Sequence, residues 1–195
     1  KKDAGDVRID GESLKGDGVN VRRRVTYSPG EVNAYGELTG KAQIGWLLRG
    51  RDAETHARAE ELASELGLPL DGRVRTYSHG MKRQLLFAAA VAPRVKARLL
   101  DEMTEGLDPS MRARILDQLR ADADSGSAIL LSSHHFGEVN RVCDRLVFIQ
   151  DGKKLSEESP ATIADRARGL ATFEYQDALT AQSAHEQLSA EGVET

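Results

Sequence analysis

From residue 97 onward, apolar runs of strand length alternate with helix-patterned segments, and this alternation narrows the fold more than any other feature. The runs are residues 97–100, 128–131 and 146–149. Asp108 and Pro109 open the first helix between them, with a side-chain cap and a proline at the first helical position. Met111, Ile115 and Leu119 follow at four-residue spacing, with Leu116 beside them. A shorter helix is expected over 138–143. Strands separated by helices pack as a mainly parallel sheet, so the fold class is α/β. The wholly apolar run 128–131 predicts a strand covered on both faces. Asp151-Gly152 predicts a tight turn from 146–149 into 153–156.

Upstream, residues 7–10 alternate and end at Gly11, as in a short, half-exposed strand and turn. Residues 25–27 form a second strand stopped by Ser28-Pro29-Gly30. A helical block at about 38–92 is inserted before the alternating part. In it Asp52 caps a helix over 53–66, with Gly67 at the position that ends it. Ser78 caps another over 79–92, closed by Pro93. Residues 171–175 suit a strand and 181–190 a helix.

Composition removes several classes of function. The net charge is −4, and the one basic run, Arg22-Arg23-Arg24, is short. We therefore expect no nucleic-acid partner held by bulk electrostatics. The longest apolar run, 85–92, is well short of the ~20 residues that span a bilayer. Cys143 is the single cysteine, so no intrachain disulfide forms, which is compatible with a reducing cytoplasm.

Three segments carry chemistry. The run 97–100 delivers Asp101 and Glu102 to the C-terminal edge of the sheet, where open α/β sheets bind ligands. Adjacent strand residues point opposite ways, so one carboxylate suits a water-bridged Mg²⁺ and the other an attacking water. Tyr77-Ser78-His79-Gly80-Met81 opens a helix, whose free N–H groups and dipole favour a phosphate. The run 128–131 ends in Ser132-Ser133-His134-His135, where an imidazole can donate to a phosphoryl oxygen. Taken singly, each is an ordinary feature: a strand-end carboxylate pair, a helix cap, a surface histidine pair.

Their order and spacing are specific. A Ser-x-Gly-Met helix start, a strand ending Asp-Glu, then Gly-Leu-Asp-Pro, Ser-Ser-His and CDRLVFIQDGK resemble the ATP-binding cassette (ABC) family over residues 4–160. The style is that of ATPase subunits of bacterial exporters. The resemblance implies a P-loop-NTPase-like sheet with an inserted helical subdomain, and ATP and Mg²⁺ as ligands. It implies that Asp101 holds the Mg²⁺ shell, Glu102 polarises the hydrolytic water and His134 contacts the γ-phosphate. Asp108 would couple two sites across a dimer. Ser78, His79, Gly80 and Met81 would face the ATP held by a second cassette, in a homo- or heterodimer. The implied partner is a separate transmembrane permease subunit. The implied location is cytoplasmic, peripheral on the inner face of the cell membrane. Residues 1–168 would form the cassette and 169–195 the start of a small C-terminal extension.

The sequence departs from the family pattern in places. No G-x-x-x-x-G-K-[ST] run is present, and Gly16-Asp17-Gly18 lacks the Lys-Ser/Thr that completes a phosphate cradle. The resemblance puts that run ahead of Lys1, so the cassette reads as N-terminally truncated, without ATP hydrolysis on its own. Two further readings stay open: a non-catalytic cassette that lends its signature segment to a complete partner, and a fragment without function. Gly30 stands where the family has Gln, Met103 where it has Pro, and His79 where it has Gly. Lys96 and Arg98 interrupt a strand that is usually apolar, which predicts a weaker strand.

Overall fold

The structure, a computed structural model, describes residues 4–14 and 18–167. It falls into two units, residues 1–143 and 144–195. The first begins with a small hairpin, β1 (Arg8–Ile9) and β2 (Glu12–Ser13), paired antiparallel around Asp10-Gly11. A short helix α1 (Val19–Arg23) leads into β3 (Val25–Ser28). Three helices follow: α2 (Gly40–Leu47), α3 (Ala53–Glu65) and α4 (His79–Val91). Then come β4 (Ala97–Asp101), α5 (Pro109–Asp124), β5 (Ala128–Ser132) and α6 (Phe136–Val142). β3, β4 and β5 form a parallel sheet with β4 central, as the alternating pattern requires.

The helix starts lie where the side-chain caps put them. Asp52 accepts from Thr55 N at 2.7 Å, Ser78 from Met81 N at 3.1 Å and Asp108 from Met111 N at 3.0 Å. Each satisfies a donor the first helical turn leaves open. Thr39 caps α2 in the same way.

Two apolar cores share α4. Leu85 and Ala88 pack with Ile44, Leu48, Ala59, Ala63 and Val74, which closes the block of α2, α3 and α4. Phe87 and Ala90, on another side of α4, pack with Leu100, Met103, Ile115 and Leu119 under the sheet. Met103 is fully buried there. Its unbranched side chain fills the core beneath the loop that follows β4.

Two readings of the sequence need correction. Arg98, which from the sequence only interrupts an apolar strand, is 2% exposed and hydrogen-bonded inside the fold. Its Nε and Nη2 donate to the Asp122 carboxylate, and Nη1 donates to Ala90 O at 2.9 Å and reaches Thr26 Oγ1 at 3.4 Å. The second correction concerns β5, which among the described residues is covered on one face only. Ile129 and Leu131 pack against the core, whereas Leu130 is 68% exposed. Register places Leu130 beside Leu99 and Tyr27, and Tyr27 is also exposed. Among the described residues, α4 lies against β3 and α5 against β5, and both cover the face that carries Leu100.

In the second unit, β6 (Leu146–Gln150) and β7 (Lys153–Glu158) form an antiparallel hairpin around Asp151-Gly152. Asp151 and Gly152 both have positive φ, 49° and 72°, the backbone a two-residue hairpin turn demands. Glu157 pairs with Arg145 and with Lys154. α7 (Pro160–Ala167) follows. Val147 and Ile149 are exposed, so this strand too is not buried on both faces. The strand and helix expected over 171–175 and 181–190 lie outside the described residues.

Arg98 supplies a test of the fold. Asp122→Ala leaves a guanidinium buried beside β4 with its main counter-charge gone. We expect a loss of about 3 kcal/mol, at the low end for breaking a buried pair because Asp122 retains some solvent. Arg98→Met should cost less, since it removes the charge with the partner. Urea unfolding of the two variants checks the order; equal losses would contradict it.

Candidate functional site

β4 and β5 are parallel and in register, so their last residues reach the C-terminal sheet edge together, with Asp101 opposite Ser132. The Ser132 hydroxyl donates to Asp101 Oδ1. The next residue, Glu102, leaves the strand with φ of +46°, a left-handed conformation rare for a residue with a Cβ. Its N–H holds that turn by donating to Ser132 O at 3.2 Å and approaching Ser132 Oγ at 3.1 Å. The turn sends the Glu102 carboxylate away from Asp101 and toward the loop after β5. There His134 Nδ1 lies 3.0 Å from Glu102 Oε2. The His135 ring lies against His134, tilted by 41° with ring centroids 4.1 Å apart. Backbone strain of this kind persists where surrounding bonds over-determine it, and it concentrates at sites of function.

The helix start at Ser78 meets the loop between β4 and α5. Gly106 has φ of +73° and no Cβ; one placed there would lie 2.7 Å from His79 Nδ1. The His79 ring therefore rests on the face of Gly106. Gly80 is close to the Gly106 carbonyl and Leu107. Ser78 and His79 are exposed, while Gly80 and Met81 are partly buried. Met81 also packs at the edge of the helical core. The Ser78 oxygen accepts the Met81 N–H, which leaves its own O–H as a donor. Asp108 is exposed and held below the ordinary carboxylate range, first by the Ser110 hydroxyl and then by the Met111 N–H.

Two arginines that periodicity does not flag organise these loops. Arg83, on α4, is 1% exposed and donates to Gly30 O at 2.8 Å, with Glu105 3.5 Å away. Arg112, on α5, donates to Leu107 O and to Glu138 Oε1, both at 2.8 Å. Gly30 lies against Asp101: a Cβ there would come within 3.2 Å of Asp101 Oδ2.

A family profile described as "ABC transporter" matches residues 1–105, more than half of the chain. The chain belongs to the ABC transporter family. Among its relatives, the daunorubicin/doxorubicin resistance ATP-binding protein DrrA of Streptomyces peucetius is 30% identical over 199 residues. That alignment covers 98% of this chain and 60% of the relative. The Nod factor export ATP-binding protein I of Burkholderia lata is 31% identical over 202 residues, covering 97% of this chain and 66% of the relative. The chain thus spans less than two thirds of the length of these relatives. A solved ATP-binding subunit of an ABC transporter superposes with a TM-score of 0.70 at 26% identity, covering 80% of this chain and 68% of its own. A dimeric ATP-binding cassette bound to ADP and Pi superposes equally well at 20% identity, covering 81% of this chain and 74% of its own, which shows the shared fold.

Within this ABC chain, Asp101, Glu102 and His134 converge on one sheet edge. Ser78, His79, Gly80 and Met81 gather instead with Gly106 and Leu107. Asp108 caps α5 beside that second group. Among the described residues no cluster of three or more His, Cys, Asp or Glu is arranged to hold a metal. Of the two carboxylates at the edge, Asp101 has the chemistry Mg²⁺ would use, since that ion keeps several waters and takes few protein ligands. No helix among the described residues is long and apolar enough to cross a membrane.

The contact of Gly106 with His79 is testable. Gly106→Ala should be destabilising through both left-handed strain and the clash with the imidazole. Gly106→Ala in a His79→Gly background should be free of the clash and keep the strain. Thermal melts of the single and double variants measure the coupling, and simple additivity would rule out the contact.

Proposed function

We propose that this chain is part of the ATP-hydrolysing subunit of an ABC exporter, which drives transport through a separate membrane permease. The pairing of Glu102 with His134 beside Asp101 carries the reading. It is supported by names among the relatives, which refer to drug resistance and to export. We place the chain in the cytoplasm, peripheral on the inner face of the membrane.

Hydrolysis needs an oxygen nucleophile from water, and in this reading Glu102 would take its proton. The hydrogen bond to His134 fixes the rotamer of the carboxylate, so it costs little to hold it toward the attacking water. With Nδ1–H on Glu102, Nε2 would donate to a γ-phosphate oxygen when both ring nitrogens carry protons. Asp101 would hold Mg²⁺, which supplies charge neutralisation at the β- and γ-phosphates. The α4 N-terminus, with Ser78, His79, Gly80 and Met81, would face the ATP of a second cassette in a homo- or heterodimer. Asp108, next to that surface, would link the two sites.

A second reading has an observation of its own, the exposure of Ser78 and His79 at the start of α4. The chain could act chiefly by lending its exposed Ser78 segment to a complete partner cassette. Turnover of MgATP by the native complex separates the two. Glu102→Gln should reduce turnover at least a thousandfold while ATP binding persists, the pattern expected on losing a group that acts in the transition state. Unchanged turnover in Glu102→Gln combined with its loss in Ser78→Arg would establish the second reading and overturn the first.

A further inference from the structure

His134 can orient Glu102 only if the loop that carries it is itself held. That loop runs directly into α6, whose N-cap residue is His135. The Glu138 N–H donates to His135 O at 3.0 Å, so the first turn of α6 and the histidine pair move as one piece. The side chain of Glu138 then reaches Arg112 on α5 at 2.8 Å. The same guanidinium donates through Nε to Leu107 O at 2.8 Å, in the loop that joins β4 to α5. That loop is tied back to the start of the path, since Glu105 N donates to Glu102 O at 3.2 Å and Leu107 N to Thr104 O at 3.3 Å. The path closes: Glu102, the loop to Leu107, Arg112, Glu138, the His135 turn, His134 and Glu102 again.

We propose that Arg112 and Glu138 are positioning residues that hold His134 on Glu102 and lock the Asp108 loop to the histidine loop. The inference rests on the proposed role of Glu102 and His134 in hydrolysis. Arg112 suits the task, because a planar fork can serve a carbonyl and a carboxylate at once, which a lysine point charge cannot. Both side chains are about three quarters buried, at 26% and 23% exposure, which sets the pair apart from the solvated ion pairs of α5.

A plain helix-packing role would look different. The far end of α6 has its own ties to α5: Arg120 donates to Val142 O at 3.1 Å, and Arg141 lies 3.5 Å from Asp117. Loss of the Arg112–Glu138 link therefore frees the end of α6 next to His134 and leaves the other end docked. Asp117→Asn, which touches only the far end, is the matching control.

The test uses Arg112→Gln, Glu138→Gln, their double variant and Asp117→Asn. Imidazole ¹⁵N spectra of the chain report the His134 Nδ1 hydrogen bond without any turnover. The Nδ1 signal should move in Arg112→Gln and in Glu138→Gln and stay in place in Asp117→Asn. In the native complex kcat should fall on the order of ten- to a hundredfold with KM for MgATP unchanged, as expected for misplacement of a positioned group. The double variant should be no slower than the worse single one, because both cut the same link. An unmoved Nδ1 signal, or losses that simply multiply, would overturn the proposal. Failure of the hydrolytic reading itself would show differently, as turnover that survives Glu102→Gln, while the Nδ1 comparison stands on its own.

Discussion

A full positive charge lies inside the molecule, beneath its central strand. Arg98 of β4 reaches β3 through Thr26, α4 through the Ala90 carbonyl and α5 through Asp122. A guanidinium loses its hydration on burial, and only near-complete satisfaction of its donors makes that tolerable. The four elements are thereby fixed in one arrangement: sliding any of them leaves a buried donor open. The apolar contacts of Leu100, Phe87, Ile115 and Leu119 surround this point and add area, yet they are non-directional and would accept other registers. The polar centre supplies the direction.

Register is what the site consumes. Asp101, Glu102 and Ser132 meet because β4 and β5 end level, and one residue of slip would turn Asp101 to the other face. From that shared edge, the left-handed turn at Glu102 separates the two carboxylates. One stays with Ser132 and the other goes to His134. Two acids that are neighbours in sequence thus acquire different partners. Like groups are thereby put in unlike surroundings.

The caps and the alternation of strand and helix were legible because they are local. Asp52, Ser78 and Asp108 act on backbone three residues away, and a reader of sequence sees both ends of the bond. The convergence of Asp101, Glu102 and His134 on one edge was legible for a different reason: parallel strands bring their C-terminal ends together whatever lies between. The roles of Arg98, Arg83 and Arg112 were not legible, since Gly30, Glu105, Thr26, Asp122 and Glu138 lie 22 to 72 residues from the arginines they serve and no spacing records them. The one-sided cover of β5 escaped for a related reason. An apolar run shows that both faces can be buried, whereas the helices that do the covering are set by tertiary packing.

Gly30 shows how a departure from a family pattern acquires a physical reading. The family resemblance sets a glutamine at this position, and its absence reads from sequence as a lost contact. In the fold the position is crowded. A Cβ would press on the Asp101 carboxylate at 3.2 Å, while the Gly30 carbonyl is the main acceptor for the buried guanidinium of Arg83. Glycine lets the backbone come close enough to serve Arg83 without disturbing Asp101. The helix that begins at Ser78 is then joined through Arg83 and Gly30 to the neighbourhood of Asp101, by backbone rather than by a side chain. α4 also contributes to both cores, so a displacement of its N-terminus cannot be absorbed locally; it must pass to the loop at Gly30 or be resisted there. Arg83 and Gly30 thus connect the two groups of site residues.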